Sequence, residues 1–140
     1  MRSPAVEGPT IPAREDRLSR ALSVGESPTS QCKGECEAMK VYNWSQIPEE
    51  QVDPLASRQM IHTETMSVVR RRLLKGAVLR LHRHADEQIS MIERGKVRFV
   101  VAGEEEIVSG GESYVIPPNA PHSVEALEDS VVMDLFSTPR

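Results

Sequence analysis

The sequence lacks any long apolar run. No stretch of its 140 residues approaches the roughly 20 apolar residues that a membrane-spanning helix requires. The N-terminus also lacks the apolar core of a secretory signal peptide. We therefore predict a cytoplasmic protein with no membrane partner.

The sequence also has fewer basic than acidic residues. The chain carries 17 Lys and Arg against 21 Asp and Glu, a net charge of −4 with an isoelectric point near 5.6. Nucleic acid binding requires a basic surface that faces the phosphates. The one basic cluster would lie on a strand with Arg70 and Arg72 on one side and Arg71 on the other, so we interpret it as a solvated face. Nucleic acid is not an expected partner.

Cysteine is scarce, and both cysteines fall within the first 38 residues. Cys32 and Cys36 supply only half of a zinc shell, and no histidine lies near them, so we assign them no function. This segment is rich in proline, glycine and serine, which predicts a disordered leader over residues 1–38. Met39 is a second candidate for the start of translation, in which case the leader is not made. Residues 39–140 are predicted to form a single domain.

From Met39 onward, short apolar and β-branched segments alternate with turn residues. One helical turn is predicted over residues 47–51, where Pro48 would occupy its first position. Evenly spaced short strands favour an all-β double-sheet jelly roll or barrel with room inside for a small ligand. The predicted strands are residues 66–74, 78–84, 88–92, 96–101, 106–109, 113–116, 122–126 and 131–136.

Two histidines form half of a predicted metal site. Alternate side chains of a strand share a face, so His82 and His84 would project together. Gln88 follows four residues later, and a neighbouring strand could bring His122 alongside the pair. Three imidazoles and one amide oxygen would bind one divalent transition metal, for which nickel, zinc, iron, manganese and copper all stay open.

The uncharged amide of Gln88 would give this site its chemical character. It leaves the charge of the metal uncompensated, so the ion would act as a stronger Lewis acid toward a bound carboxylate, hydroxyl or carbonyl group. Glu87 is a competing ligand with the better charge, but on a strand it would face away from Gln88. The residues therefore favour the polarisation of a small substrate over the storage of an ion.

The spacing of these residues resembles the two motifs of the cupin superfamily. Gln88 stands where the first motif has glutamate, and Ala126 where the second has asparagine. Asn119 stands in place of a turn glycine, which asparagine can replace because it tolerates positive φ. The resemblance implies an RmlC-like cupin fold, a double-stranded β-helix or jelly-roll barrel. The matched positions are Gly76, His82, His84, Gln88 and Gly95 in the first motif and Gly111, Pro117, Asn119, His122 and Ala126 in the second.

Residues 39–140 also resemble the small single-domain cupins of the pectin-degradation family. Enzymes of that family open and ketonise 4,5-unsaturated uronate monosaccharides, the products of pectin and alginate lyases, to give linear keto sugars. The resemblance implies catalytic roles for Asp134, Phe136 and Arg140, and metal binding by His82, His84, Gln88 and His122. It is carried by residues 39–44, 61–66, 88–91, 116–123 and 125–137.

Asp134 lies within an apolar strand, where alternation places it on one face with Val132 and Phe136. A buried carboxylate without a partner is costly, so Asp134 is either exposed or directed into a polar cavity. In a cavity it would transfer protons as general acid and base, and Phe136 would shape the sugar pocket. Arg80, on the His82 face by alternation, or Arg140 would pair with the substrate carboxylate.

Two other functions stay open. A cupin dioxygenase is compatible with three neutral histidines, because they can hold iron with open coordination positions. The second is a non-catalytic module that binds a small acid as a sensor. Such a sensor is usually attached to an effector domain, which counts against this function. We expect a homodimer, because an open strand edge near residues 66–74 would gain by pairing with a second copy. His62 is interpreted as a surface or subunit-contact residue.

Overall fold

The structure is a computed structural model that describes residues 38–138. Cys32, Cys36, Arg140 and nearly all of the predicted leader lie outside these residues. The described chain contains no helix that is long and apolar enough to span a membrane. It consists of a 3-10 turn at Trp44–Gln46 and the strands β1 Glu50–Asp53, β2 Ala56–His62, β3 Ser67–Leu73, β4 Val78–His82, β5 Gln88–Arg94, β6 Lys96–Val101, β7 Glu104–Ser109, β8 Ser113–Ile116, β9 His122–Ala126 and β10 Ser130–Phe136.

The strands form two antiparallel sheets, as predicted for a jelly roll. One sheet has six strands in the order β1-β2-β3-β10-β5-β8, and the other has four in the order β4-β9-β6-β7. The inward side chains of both sheets alternate with outward ones along each strand and pack together as the core. Phe99 and Ile116 are among the fully buried members of this core. The fold is therefore all-β, and the class predicted from the sequence is confirmed.

Strand register brings the predicted site residues together from both sheets. His82 on β4 lies directly opposite His122 on β9 in the four-stranded sheet. Gln88 on β5 lies opposite Phe136 on β10 in the six-stranded sheet. Because the inner faces of the two sheets meet, these side chains enter the same interior.

The backbone conformation at two turns explains why Gly95 and Asn119 occupy their positions in the sequence motifs. Gly95, between β5 and β6, has a φ of +92°, and a Cβ atom there would lie 2.6 Å from Asp129 O and 2.7 Å from Ser130 Cα. Only glycine combines this φ with so close an approach of backbone. Asn119 has a φ of +61°, as expected for asparagine in place of a turn glycine.

The predicted helical turn at residues 47–51 is wrong. Within residues 38–138 the helical turn lies earlier, where the Asn43 side chain accepts a hydrogen bond from Ser45 N at 3.0 Å and caps Trp44–Gln46. Ile47 is extended, with φ −79° and ψ 126°, because a residue that precedes proline avoids the helical region. The chain then continues into β1 and β2, which the sequence analysis did not predict.

These two additional strands also change the expected dimer contact. The segment near residues 66–74 is not an open edge, because β3 pairs with β2 on one side and with β10 on the other. The edges of the six-stranded sheet are β1 and β8. The edge-pairing argument for a dimer through β3 is therefore wrong.

Candidate metal centre

The structure brings three of the four described histidines into one cluster. The nearest ring nitrogens of His82, His84 and His122 all lie within 4.8 Å of one another. His122 is buried, His84 is half-buried and His82 is exposed, so the cluster has one side open to solvent. The fourth histidine, His62, is exposed at the end of β2 and lies outside the cluster, as expected.

Each imidazole of the cluster is oriented by a hydrogen bond to a backbone carbonyl group two residues away. The Nδ1 atoms of His82, His84 and His122 donate to the carbonyl oxygens of residues 80, 86 and 120 at 2.7, 3.0 and 2.8 Å. A carbonyl oxygen only accepts, so each Nδ1 carries the hydrogen. The Nε2 atoms are left as the nitrogens that can coordinate a metal, an arrangement typical of ligating histidines.

Burial supports the neutral form of the innermost histidine. Desolvation lowers the pKa of His122 from its usual value, and the neighbouring imidazoles of His82 and His84 act in the same direction. The hydrogen bond to the Ala120 carbonyl and the charge of Asp134 oppose this shift, but desolvation is the largest influence and the pKa is lowered. A neutral imidazole is the form that coordinates metals.

The Gln88 side chain is held with its oxygen toward the histidines. Its amide nitrogen donates to Ser90 Oγ at 2.9 Å, and Ser90 Oγ donates to Asp134 Oδ1 at 2.7 Å. Since the Ser90 hydroxyl hydrogen is used on the carboxylate, the Ser90 oxygen can only accept from Gln88. Gln88 Oε1 is consequently directed at His84 Nε2, 3.1 Å away.

This contact tests whether the residues fit a metal. With Nδ1 of His84 protonated, Gln88 Oε1 and His84 Nε2 are two acceptors 3.1 Å apart, which is unfavourable unless a proton or another cation binds between them. Two further imidazole nitrogens converge on the same place. Three nitrogen donors and one amide oxygen suit a divalent transition metal, so His82, His84, Gln88 and His122 fit such an ion.

The cluster opens into a cavity between the two sheets. The cavity contains about 410 Å³ of empty space, counting its open mouth. Its apolar lining is formed by Leu73, Leu79, Phe99, Val124, Val132 and Phe136, and its polar lining by Arg71, His82, His84, Gln88, His122 and Asp134.

Asp134 faces this cavity and is only 3% exposed. Alternation therefore placed Asp134 and Phe136 correctly on the inner face, and the solvent-facing alternative is wrong. The buried carboxylate has two partners: Arg71 Nε donates to Oδ2 at 2.7 Å, and Ser90 Oγ donates to Oδ1. These contacts offset the cost of burying a charge. Phe136 packs edge-on against His84, with ring centroids 5.6 Å apart.

Arg80 does not line the cavity, contrary to its predicted place on the His82 face. The pairing of β4 with β9 shifts by one residue between Leu79 and His82. This bulge lets Leu79 and His82, three residues apart, both face the cavity and leaves Arg80 exposed. Counting by twos from His82 fails across such an irregularity.

Glu87, the competing ligand, is exposed, whereas Gln88 is buried in the cavity wall. The prediction that Gln88 rather than Glu87 faces the histidines agrees with this burial, although β5 begins only at Gln88. The main-chain amide of Glu87 donates to Ser137 Oγ at 3.2 Å, which ties the start of β5 to the end of β10.

Among the polar residues that line the cavity, Arg71 is the one that the sequence analysis missed. It was assigned to a solvated cluster, but its side chain is only 18% exposed and forms the ion pair with Asp134. The signal was present in the alternation of β3, because Val69 and Leu73 are buried and Arg71 lies between them on the same face.

Together, the fold and the histidine cluster define a cupin. The family model described as "Cupin domain" matches residues 69–138, and the chain belongs to that family. It also resembles the small single-domain cupins of the pectin-degradation family. KdgF from Halomonas sp. is similar in structure, with 30% identity, coverage of 74% of this chain and 96% of that chain, and a TM-score of 0.70.

More distant structures share the fold alone. An RmlC-like cupin from Shewanella frigidimarina NCIMB 400 has 24% identity, covers 74% of this chain and 94% of that chain, and gives a TM-score of 0.70. A salicylate 1,2-dioxygenase from Pseudoaminobacter salicylatoxidans has 17% identity, covers 63% and 28% of the two chains, and gives a TM-score of 0.60. No curated protein sequence matches the chain.

Replacing Ser90 by alanine should weaken metal binding although Ser90 is not a ligand. Without the serine oxygen, the Gln88 amide loses the partner that directs its oxygen toward His84. We expect metal affinity to fall by about 10- to 100-fold, the range for removal of an outer-shell hydrogen bond. Competition with a chromophoric chelator measures this. Ser123→Ala is the control, because Ser123 is the half-buried residue that directly follows His122 and does not line the cavity. Equal metal affinity in Ser90→Ala and wild type would contradict the orienting role of Ser90.

Proposed function

We propose that this chain is a metal-dependent cupin enzyme that converts 4,5-unsaturated uronate monosaccharides to linear keto sugars in pectin and alginate breakdown. The observation that carries the proposal is that Asp134, a buried carboxylate with fixed partners, shares one cavity with three histidines and Gln88. The resemblance to the pectin-degradation cupins and the similarity to KdgF support this choice of substrate.

The charges of the cavity favour an anionic substrate. Arg71 and Asp134 form an ion pair whose charges cancel. The four candidate ligands are neutral, so they would leave the positive charge of a divalent metal uncompensated. An acid with a carboxylate group and several hydroxyl groups fits such a site better than a neutral sugar does.

The proposed reaction is an isomerisation that needs only proton transfers. A proton leaves the hydroxyl group on C1, and the bond between C1 and the ring oxygen breaks to give an aldehyde at C1 and an enolate at C5. The enolate then takes one proton at C4 and becomes a ketone. Asp134, a carboxylate that lines the cavity beside the candidate metal ligands, would carry these protons. A bound divalent metal would supply stabilisation for negative charge on the sugar oxygens. Phe136, held edge-on to His84, would shape the pocket around the sugar ring.

Loss of ultraviolet absorbance tests this function, because the double bond of the substrate is conjugated with its carboxylate. Freshly lyase-generated unsaturated galacturonate would be mixed with metal-loaded protein, with chelator-treated protein and with buffer. We expect faster decay with the metal-loaded protein alone. Decay no faster than in buffer for every metal tested would contradict the proposed substrate.

A cupin dioxygenase and a binding module without catalysis are the alternative outcomes. Iron retained through purification together with oxygen uptake would favour the dioxygenase. Tight binding of a small acid that stays chemically unchanged would favour the binding module.

A homodimer and a cytoplasmic location also stand as proposals. The outer face of the six-stranded sheet, rather than the β3 edge, supports self-association. A cross-strand row of apolar side chains crosses this face and is at least partly exposed. Its members, which are aligned by strand register, are Ile61, Val68, Leu135, Ile89 and Val115.

A further inference from the structure

Among the described residues that line the cavity, Arg71 is the one lysine or arginine. An arginine is expensive to bury, and such residues inside a cavity are paired or bind a ligand. Arg71 is largely buried and is paired through one nitrogen only, because Nε donates to Asp134 Oδ2 at 2.7 Å. Within residues 38–138, its two terminal nitrogens make no hydrogen bond to the protein.

We propose that Arg71 is the specificity residue of the cavity and binds the carboxylate of the substrate through these two terminal nitrogens. The inference rests on the proposed function, in which the substrate is a sugar acid. A guanidinium group presents five donors in a planar fork, and two parallel donors match the two oxygens of a carboxylate. One edge of the fork holds Asp134, and another edge is available to the ligand.

The strand register explains how one arginine can serve both groups. Arg71 on β3 lies opposite Val132 on β10, so Asp134 is its diagonal neighbour on the same inner face. Long side chains reach such diagonal partners. The guanidinium therefore lies beside Asp134 and at the cavity surface at once, with its direction fixed by the ion pair.

This position agrees with the proposed chemistry. In a 4,5-unsaturated uronate the carboxylate is attached to C5, and the neighbouring carbon, C4, accepts the proton. A carboxylate held by Arg71 would place C4 within the region of Asp134, because both groups contact the same guanidinium. Arg71 would thus orient the acceptor carbon toward the proton carrier.

Arg80, one of the two arginines that the sequence suggests for this role, is badly placed for it. Arg80 is exposed and does not line the cavity, because the bulge in β4 turns it away. Its substitution is therefore a matched control: the same residue type is changed close to the histidines in sequence but outside the cavity.

Binding of unreactive sugars to the metal-loaded protein tests the inference without requiring turnover. Galacturonate and galactose differ in the carboxylate group, and neither has the reactive double bond. By isothermal titration calorimetry, we expect Arg71→Gln to weaken galacturonate binding about tenfold or more, and Arg80→Gln to leave it unchanged. Galactose binding should be weak and equal in all proteins. Equal galacturonate affinity in Arg71→Gln and wild type, or a loss in Arg80→Gln instead, would overturn the inference.

Two further variants separate ligand binding from support of the fold. Arg71→Lys keeps a positive charge for Asp134 but loses the fork, so galacturonate affinity should fall by less than in Arg71→Gln. The double variant Arg71→Gln with Asp134→Asn removes both charges of the ion pair and therefore leaves no unpaired carboxylate buried. We expect it to lose galacturonate affinity to the same extent as Arg71→Gln. Wild-type affinity in a folded double variant would overturn the inference. If wild type binds galacturonate but does not convert the unsaturated acid, the proposed function fails while the role of Arg71 stands.

Discussion

Replacing Asp134 by asparagine should lower kcat for unsaturated galacturonate by about 100- to 10,000-fold, the contribution typical of general acid and base catalysis. Asparagine has nearly the same shape, although its single carbonyl oxygen can accept from only one of Ser90 and Arg71, and its amide cannot take up and release a proton at neutral pH. The change removes no candidate metal ligand and leaves the Arg71 guanidinium in the cavity. KM should therefore change much less than kcat.

The Asp134→Asn experiment needs a check on folding, because the change leaves Arg71 without its anionic partner. Removal of one member of a buried ion pair can cost about 3–5 kcal/mol of stability. Metal content and thermal unfolding measured on the same sample show whether the variant is folded and loaded. Glu104→Gln, on the exposed start of β7, is the matched control and should keep full activity. A folded, metal-loaded Asp134→Asn protein with wild-type kcat would exclude Asp134 as the proton carrier.

Replacing His82 by alanine should abolish stable metal binding with little effect on the fold. His82 is exposed, so truncation removes a ligand without opening a hole in the core. Metal affinity should fall by more than the roughly 100-fold that loss of an outer-shell hydrogen bond can cause, because a coordinating atom itself is lost. Activity should fall with metal occupancy and recover in part at high metal concentration.

His62→Ala is the control for this second prediction. His62 is also an exposed histidine, and its Nδ1 lies 2.9 Å from Ser67 Oγ, outside the cluster. It should retain wild-type metal content after dialysis and wild-type activity. Equal metal content in His82→Ala and wild type, measured by elemental analysis of the dialysed proteins, would contradict the assigned ligand set.

Most residues of the candidate metal centre could be predicted from the sequence, because their positions follow from strand alternation and motif spacing. Alternation predicted that His82 and His84 lie together, which they do although β4 ends at His82, and it preferred Gln88, which is buried, over the exposed Glu87. His122 required a partner strand, and its motif spacing indicated the position. The alternation of β10 also predicted that Asp134 and Phe136 face inward.

The remaining features depend on contacts between strands that a single sequence does not specify. The bulge in β4 arises in its pairing with β9, so the outward position of Arg80 could not be counted from His82. The ion pair of Arg71 with Asp134 depends on the register of β3 against β10, across 63 positions of sequence. The polar composition of β1 and of the start of β2 concealed two strands, and with them the internal position of β3.

The most direct test of the central claim is a time course of proton NMR spectra of unsaturated galacturonate in deuterated buffer. With metal-loaded wild-type protein, we expect the signal of the C4 hydrogen to disappear well ahead of the buffer blank, and the linear keto sugar to appear at the same rate with deuterium at C4. Consumption at the blank rate with every metal tested, or formation of an oxidised product in place of the keto sugar, would contradict uronate ketonisation.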